Sequence, residues 1–415
     1  MRADFRISDF DDPDYDPFDA FEKTIGSEAV KNPWPRITRL REQAKVHPQG
    51  IREAFGMPPD ATMLDLPKYM ALGFETVSQL FSDSKKYSNA IYERNLGAAF
   101  GRSITVMDAP EHTKYRQIFQ KVFSPNAIAQ WGNEVLAPVV NKLLDPIVEQ
   151  GKADLVREFT VEYPFRFIYG QLGLPEADVD TFHRLGVGLM CIIDDTEHGK
   201  EANEKLGDYL ARLIEERRSR PGDDLVSMLA LAEIDGARLP DEILLGFLRQ
   251  LLNAGGDTTY RSTSNTLVGL LTNPSQLAAV QQDRSLLPRA IEEGLRWEPP
   301  SIAHMRTPFR DIELAGVQIP AGACIDVVTG SANRDPSVFE NPDDFNIFRK
   351  SSHILTFGLG PHICIGRHLA KLEMSVALSA ILNRLPNLRL DDTCPPPEIH
   401  GLIKRSPSNI HVRFG

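Results

Sequence analysis

The chain has 415 residues, 42% of them apolar, a formal net charge of −11 and four cysteines. That balance argues against a nucleic-acid binder, which needs a basic face. Cys191, Cys324, Cys364 and Cys394 form no CxxC pair, so a zinc ribbon is unsupported, and such scattered thiols fit a reducing compartment.

The N-terminus is acidic and lacks the basic start and apolar core of a signal peptide. No run of 18 apolar residues is found, so no membrane span is expected and the chain reads as cytoplasmic. Residues 1–35 are acidic and proline-dotted and read as an N-terminal surface arm, ahead of one domain over 36–415. From about 36 to 300 the apolar period is helical. "DAPEHTKYRQIFQKVFSP" holds His112 and Arg116, four apart and on one helix face. "NEVLAPVVNKLLDPIVEQG" places Val135, Val139, Leu143 and Val148 on roughly one face, and "GDYLARLIEERRSRPGDD" is an amphipathic helix closed by a proline-glycine loop.

The longest predicted helix starts near Asp241 and stops before Asn273-Pro274, because the residue before proline avoids helix. At the α-helical rise it spans roughly 50 Å. It carries "NAGGDTT" (Asn253 to Thr259), and two adjacent helical glycines cost on the order of 1 kcal/mol each, which needs a reason. Next, "EEGLRW" sets Glu293 and Arg296 on one face. After Arg306 short strands are predicted, with turns at Ala315-Gly316 and Ala321-Gly322. A helix resumes after Gly366, and a last strand is expected over Asn409 to Phe414. The class is mainly α with small β-sheets, without internal repeats.

Within "FGLGPHICIG" (Phe357 to Gly366), Cys364 stands in a glycine-rich loop just ahead of a helix. Free N–H groups and the dipole at a helix start stabilise a thiolate. Glycines let backbone approach a flat partner closely. The segment resembles the haem-binding loop of cytochrome P450 monooxygenases, with Phe357, Gly358, Gly360, His362, Cys364 and Gly366 matching, and Ala370 one turn on. The resemblance runs from about Phe81 to the C-terminus and includes "LFSDSKKYSN" and "ANRDP". It implies the single-domain cytochrome P450 fold, with its long central helix over the haem.

It also implies haem b (iron protoporphyrin IX) with Cys364 as iron ligand, the thiolate favouring O–O cleavage. His362, His112, Arg116 and Arg306 would serve the haem propionates. Ala254 and Gly255 would leave room for porphyrin and dioxygen, and Asp257 with Thr258 would relay protons. Gly256, where many members carry a larger residue, would leave the helix looser. Glu293, Arg296 and Arg349 would form a structural brace.

By position within the family, the substrate pocket would draw on Tyr92, Leu96, Phe100, Leu189, Ile302, Ala303 and Leu402, mostly apolar and suited to a lipophilic small molecule. Gln250 and Asn253 would add a polar group to the pocket. The expected activity is hydroxylation or epoxidation with O2, by a monomer taking two electrons from a separate ferredoxin or flavodoxin with its reductase. Arg367, Lys371, Lys114 and Lys121 would offer that partner a basic patch. Alternatives are an atypical P450, peroxide-driven or coupling, and a non-catalytic haem-thiolate sensor.

Overall fold

Asp16 accepts from the N–H groups of Phe18 and Asp19 and so caps helix α1 (Pro17–Thr24), whose first turn tolerates Pro17. The structure is a computed structural model and describes residues 5–26, 29–192, 194–350 and 353–415. The segment expected to lie as a surface arm is packed into the molecule. Phe10, Phe21, Ile25 and Trp34 are all buried, because its aspartates alternate with aromatic residues that find apolar partners on neighbouring helices.

The helical body contains α2 (Glu111–Val122), α3 (Ala137–Val148), α4 (Glu162–Gln171), α5 (Val179–Met190) and α6 (Thr196–Ser219). It continues with α7 (Asp241–Ala254), α8 (Asp257–Leu271), α9 (Leu287–Trp297) and α10 (Arg367–Arg384). The face that α3 buries is Leu136, Val140, Leu144 and Ile147, not the predicted Val135, Val139, Leu143 and Val148. A π-helical turn over Gly132–Leu136 precedes α3, and both faces of α3 carry apolar residues, so periodicity alone does not choose between them. Gly132 stands against Leu372 of α10, where a Cβ would lie 2.8 Å from the leucine methyl.

The predicted long helix is two helices, α7 and α8, interrupted at Gly255-Gly256. The glycines answer to α4, which crosses at the interruption. A Cβ on Gly255 would lie 2.8 Å from Ile168, and one on Gly256 2.3 Å from Phe165. Gly256 therefore marks tight packing, not the looseness expected. Gly255 leaves room for Ile168 and lines the same cavity as Cys364. Helix α8 ends at Leu271, ahead of Asn273-Pro274 as predicted.

Strands β1 (Val46–His47), β2 (Lys68–Ala71), β3 (Tyr87–Ser88), β4 (His304–Pro308), β5 (Ile312–Leu314), β6 (Val317–Ile319) and β7 (Cys324–Val327) supply the main β structure. Five of them form one sheet in the order β1-β2-β7-β4-β3, with β7 parallel to β2 and antiparallel to β4. The β5–β6 hairpin turns through Ala315 and Gly316 at φ 50° and 82°, the two left-handed residues of a type I′ turn. The last predicted strand appears as His411–Arg413, paired with Arg389–Leu390 and Lys152–Asp154.

Glu293 and Arg296 of α9 form a two-bond fork, both distances 2.8 Å, and both are buried. Arg349 joins at 3.3 Å, and the Asn346 N–H donates to the same carboxylate at 2.8 Å. Arg296 spends its remaining N–H groups on the carbonyls of Asn333, Pro342 and Asp344. Asn333 in turn accepts from Leu355 N–H and donates to Thr356, whose hydroxyl donates to Leu295 O. The brace thus fixes the chain that enters the Cys364 loop.

Glu293→Gln leaves a buried guanidinium without its counter-charge and is expected to destabilise by about 3 kcal/mol or more. Urea unfolding measures this, and a loss under 1 kcal/mol would reject the brace. A second test concerns His183 of α5, whose ring lies 3.8 Å from that of Phe165 and 5.0 Å from that of Phe18. Burial lowers its pKa from 6.5 to about 4, against the pull of Asp257 and with a smaller push from Arg166. Between those values the unfolded chain takes up a proton that the folded one refuses, so this contribution to stability is lost as pH falls from 6.5 towards 4. His183→Phe should flatten that fall by on the order of 2 kcal/mol. Urea midpoints at neutral and acidic pH that shift in parallel for both proteins would contradict it.

Candidate active site

The Cys364 loop is shaped by local backbone bonds. Cys364 N–H donates to Phe357 O at 2.8 Å, and Ile363 N–H to Gly360 O at 3.1 Å. Gly358 and Gly360 take φ of 72° and 74°. A Cβ on Gly360 would meet Phe81 O at 2.6 Å, whereas one on Gly366 would meet nothing within 4 Å and would project into open space. Burial pushes the Cys364 thiol up, while the N–H groups of Gly366 and Arg367 and the Arg116 guanidinium pull it down. The sulfur faces a cavity of about 570 Å³.

Basic side chains converge beside the sulfur. His362 and His112 lie ring on ring, centroids 3.8 Å apart. Burial holds both neutral, lowering His362 to about 2 and His112 to about 4, with the nearby arginines adding to the effect. Arg116 donates to Ile363 O. Arg306 donates to Met305 O and stacks 4.9 Å over Phe81. Both arginines are buried, and among the described residues neither forms an ion pair with a carboxylate. The buried Nε2 atoms of His112 and His304 have no partner. Two buried cations and two orphaned ring nitrogens without a counter-anion fit an anionic group that enters the cavity, as two carboxylates on a flat ring system would.

On the opposite wall, Ala254 faces the open cavity. Thr258 donates to Ala254 O at 3.0 Å across the helix interruption. Asp257 is gripped by Arg261 at 2.8 Å and Lys404 at 3.1 Å. Those cations overcome its burial and hold its pKa down at about 2. It is a carboxylate at neutral pH and does not itself store a proton.

Of the predicted pocket residues, Tyr92, Leu96, Phe100, Gln250, Asn253 and Ala303 line the cavity. Leu189, Ile302 and Leu402 do not. They are buried in the core, and the wall is taken by their neighbours Met190, Ala303 and Ile403. Ile302 packs instead beside Gly330, and Leu402 in the same apolar cluster. Gln250 is engaged by Thr105, whereas the buried Asn253 amide nitrogen has no partner. His112 stands behind His362, outside the lining.

Sequence reasoning missed His304, Phe81, Lys404 and Arg261. No local pattern marks them. Lys404 reaches Asp257 from nearly 150 positions along the chain, and Arg261 reads as an ordinary i, i+4 partner of Asp257. Glu373 of α10, also in the wall, is fully buried with no cation paired to it among the described residues, and burial raises its pKa well above the usual carboxyl range. The expected basic patch is partly neutralised, since Lys371 pairs with Glu292 and Lys114 with Asp235.

Comparison with known proteins agrees with this geometry. The family described as cytochrome P450 matches residues 180–414. The cytochrome P450 monooxygenase PikC of Streptomyces venezuelae is 33% identical over 396 residues, 91% of each chain. Cytochrome P450-terp of a Pseudomonas species is 32% identical over 84% of this chain and 88% of its own. Among solved structures, CYP109E1 of Bacillus megaterium superposes with a TM-score of 0.81 at 28% identity, covering 92% of this chain and 99% of its own. CYP109Q5 of Chondromyces apiculatus gives 0.83 at 30% identity, over 94% and 97%. With a thiol in a glycine loop facing a helix interruption across a cavity, and with relatives of this identity along nearly its whole length, the chain belongs to the bacterial cytochrome P450 monooxygenases, a family of haem oxidoreductases.

Proposed function

We propose that this chain hydroxylates or epoxidises a lipophilic small molecule, using O2 and two electrons from a separate ferredoxin or flavodoxin. The observation that carries the reading is the set of buried basic side chains without counter-anions beside a cavity-facing cysteine. Haem b bound there, with Cys364 as its ligand, supplies dioxygen activation. Arg116, Arg306 and His362 would meet its propionates, with His112 stacked behind His362 and holding that ring in place, and an anion there would offset the desolvation of the imidazoles. Gly358 and Gly366 would leave a flat ring its clearance, and the Phe357 side chain would pack against it from the cavity wall.

Thr258 and Asp257 would carry the proton path. The Thr258 hydroxyl can turn from Ala254 O towards the cavity and donate there, and the ionised Asp257, held by Lys404 and Arg261, would orient water that carries protons in from solvent and replaces the one Thr258 gives up. Mostly apolar walls support a lipophilic substrate, and CYP109E1, one of the structural neighbours, is described in complex with testosterone. Asn253 supplies the polar contact for a substrate able to accept a hydrogen bond. Half-buried Arg367 and the adjoining α2 surface remain the partner-facing side, with fewer free charges than the sequence suggested. Four free cysteines support a reducing, cytoplasmic setting, and the reading is of a monomer. Among the described residues no helix is long and apolar enough to cross a membrane.

The absorption spectrum of the reduced, CO-bound protein tests the ligand. A Soret band at the long-wavelength position of thiolate ligation is expected in the native chain and lost in Cys364→His. An imidazole-type band in well-folded native protein would refute the assignment. Thr258→Ala should lower product formed per electron pair roughly tenfold and release peroxide instead. The assay uses a surrogate ferredoxin and a ligand that shifts the haem spin state. Unchanged coupling would remove Thr258 from the proton path.

A further inference from the structure

The N-terminal segment builds a wall of the cavity that no motif marks. Phe21 of α1, only 7% exposed, faces with Thr24 and Ile25 the same cavity as Cys364 and Thr258. Phe21 and Ile25 form one apolar cluster with Val187 and Cys191 at the end of α5. The Arg261 guanidinium lies 5.7 Å from the Phe21 ring, and Glu22 reaches Arg261 at 3.4 Å. Helix α1 is therefore wedged between α5 and the cation that holds Asp257. Behind it lies a second recess of about 680 Å³, and Thr24 and Arg52 belong to the walls of both. Arg52 donates to Thr24 O at 3.2 Å, so the end of α1 partitions the two spaces.

The segment before α1 holds it there. The Phe10 ring fills the place of the side chain that Gly188 lacks, where a Cβ would lie 2.4 Å away. Asp9 pairs with Arg184 at 2.9 Å, Asp11 with Lys205 at 2.8 Å and Asp12 with His198 at 3.4 Å. Tyr15 stacks on the His198 ring at 3.7 Å. The ion pairs are largely exposed and each contributes little. The buried aromatic anchors, Phe10 and Phe21, therefore carry the seating.

Resting on the haem reading above, we propose that Phe21 is a specificity-determining residue: α1, laid along α5, closes one end of the substrate cavity, and the bulk at position 21 sets the size of apolar ligand admitted.

The test uses the full, haem-loaded chain and two probes that ligate haem iron through an azole nitrogen, imidazole alone and the bulky clotrimazole, read by difference absorption spectra. Phe21→Trp should weaken clotrimazole at least about tenfold and leave imidazole within about twofold. Phe21→Ala should move clotrimazole by at least about fivefold, again with imidazole within about twofold, and carries the test if the tryptophan variant fails to fold. Clotrimazole constants that stay fixed would overturn the proposal, and so would equal shifts for both probes, which would mean a general structural role. A native protein that gives no imidazole spectrum at all would instead overturn the haem reading, and this inference with it.

Discussion

A buried carboxylate, that of Glu293, is the point on which the site depends. Two guanidiniums and a backbone N–H converge on it, and the surplus donors of Arg296 bind three carbonyls in the chain that leads to the Cys364 loop. A buried charge is tolerated only when its partners are complete. Completeness here requires Asn333, Pro342 and Asp344 to stand where they do. The cysteine loop inherits its position from a satisfied ion group rather than from its own sequence. A second such group lies close by, where Glu298 accepts from Trp34, Arg334 and Arg405 and so joins the N-terminal, central and C-terminal parts of the chain.

Against these balanced groups, the cavity wall is unbalanced. Arg116 and Arg306 are as buried as the brace residues yet have no carboxylate, and ring nitrogens of His112 and His304 go unanswered. A protein that satisfies its buried charges elsewhere leaves them open where a ligand is to complete them. Asp257 shows the opposite arrangement. Its charge is held by two cations from different parts of the fold, and it stays ionised despite its burial.

Much of the family signature was legible in the sequence because it rests on residue type and spacing. Cys364 with its glycines, the Glu293–Arg296 spacing and the Asp257-Thr258 pair each sit within one short segment, and the Ala315-Gly316 turn is dictated by backbone sterics. Errors arose where a helix phase or a strand face decides the outcome. The buried face of α3 lies one position from the predicted one because both faces of that helix are apolar, and one residue separates Ala303 in the wall from Ile302 in the core. The double glycine was correctly singled out as costly. Its reason, the crossing of α4 through Ile168 and Phe165, lies about 90 residues away in the chain.

By itself, the sequence determined the family, the glycine loop that holds Cys364, the helix carrying the acid and alcohol, and the mainly helical class. These are local signatures whose physical requirements are met within a turn or a loop. Only the tertiary structure decided that the acidic N-terminal segment is a cavity wall, that Lys404 and Arg261 hold Asp257 ionised, and that the substrate surface passes to the neighbours of three predicted residues. Those facts depend on which remote side chains meet and on what they bury, and desolvation and charge pairing act only once the chain has brought the groups together.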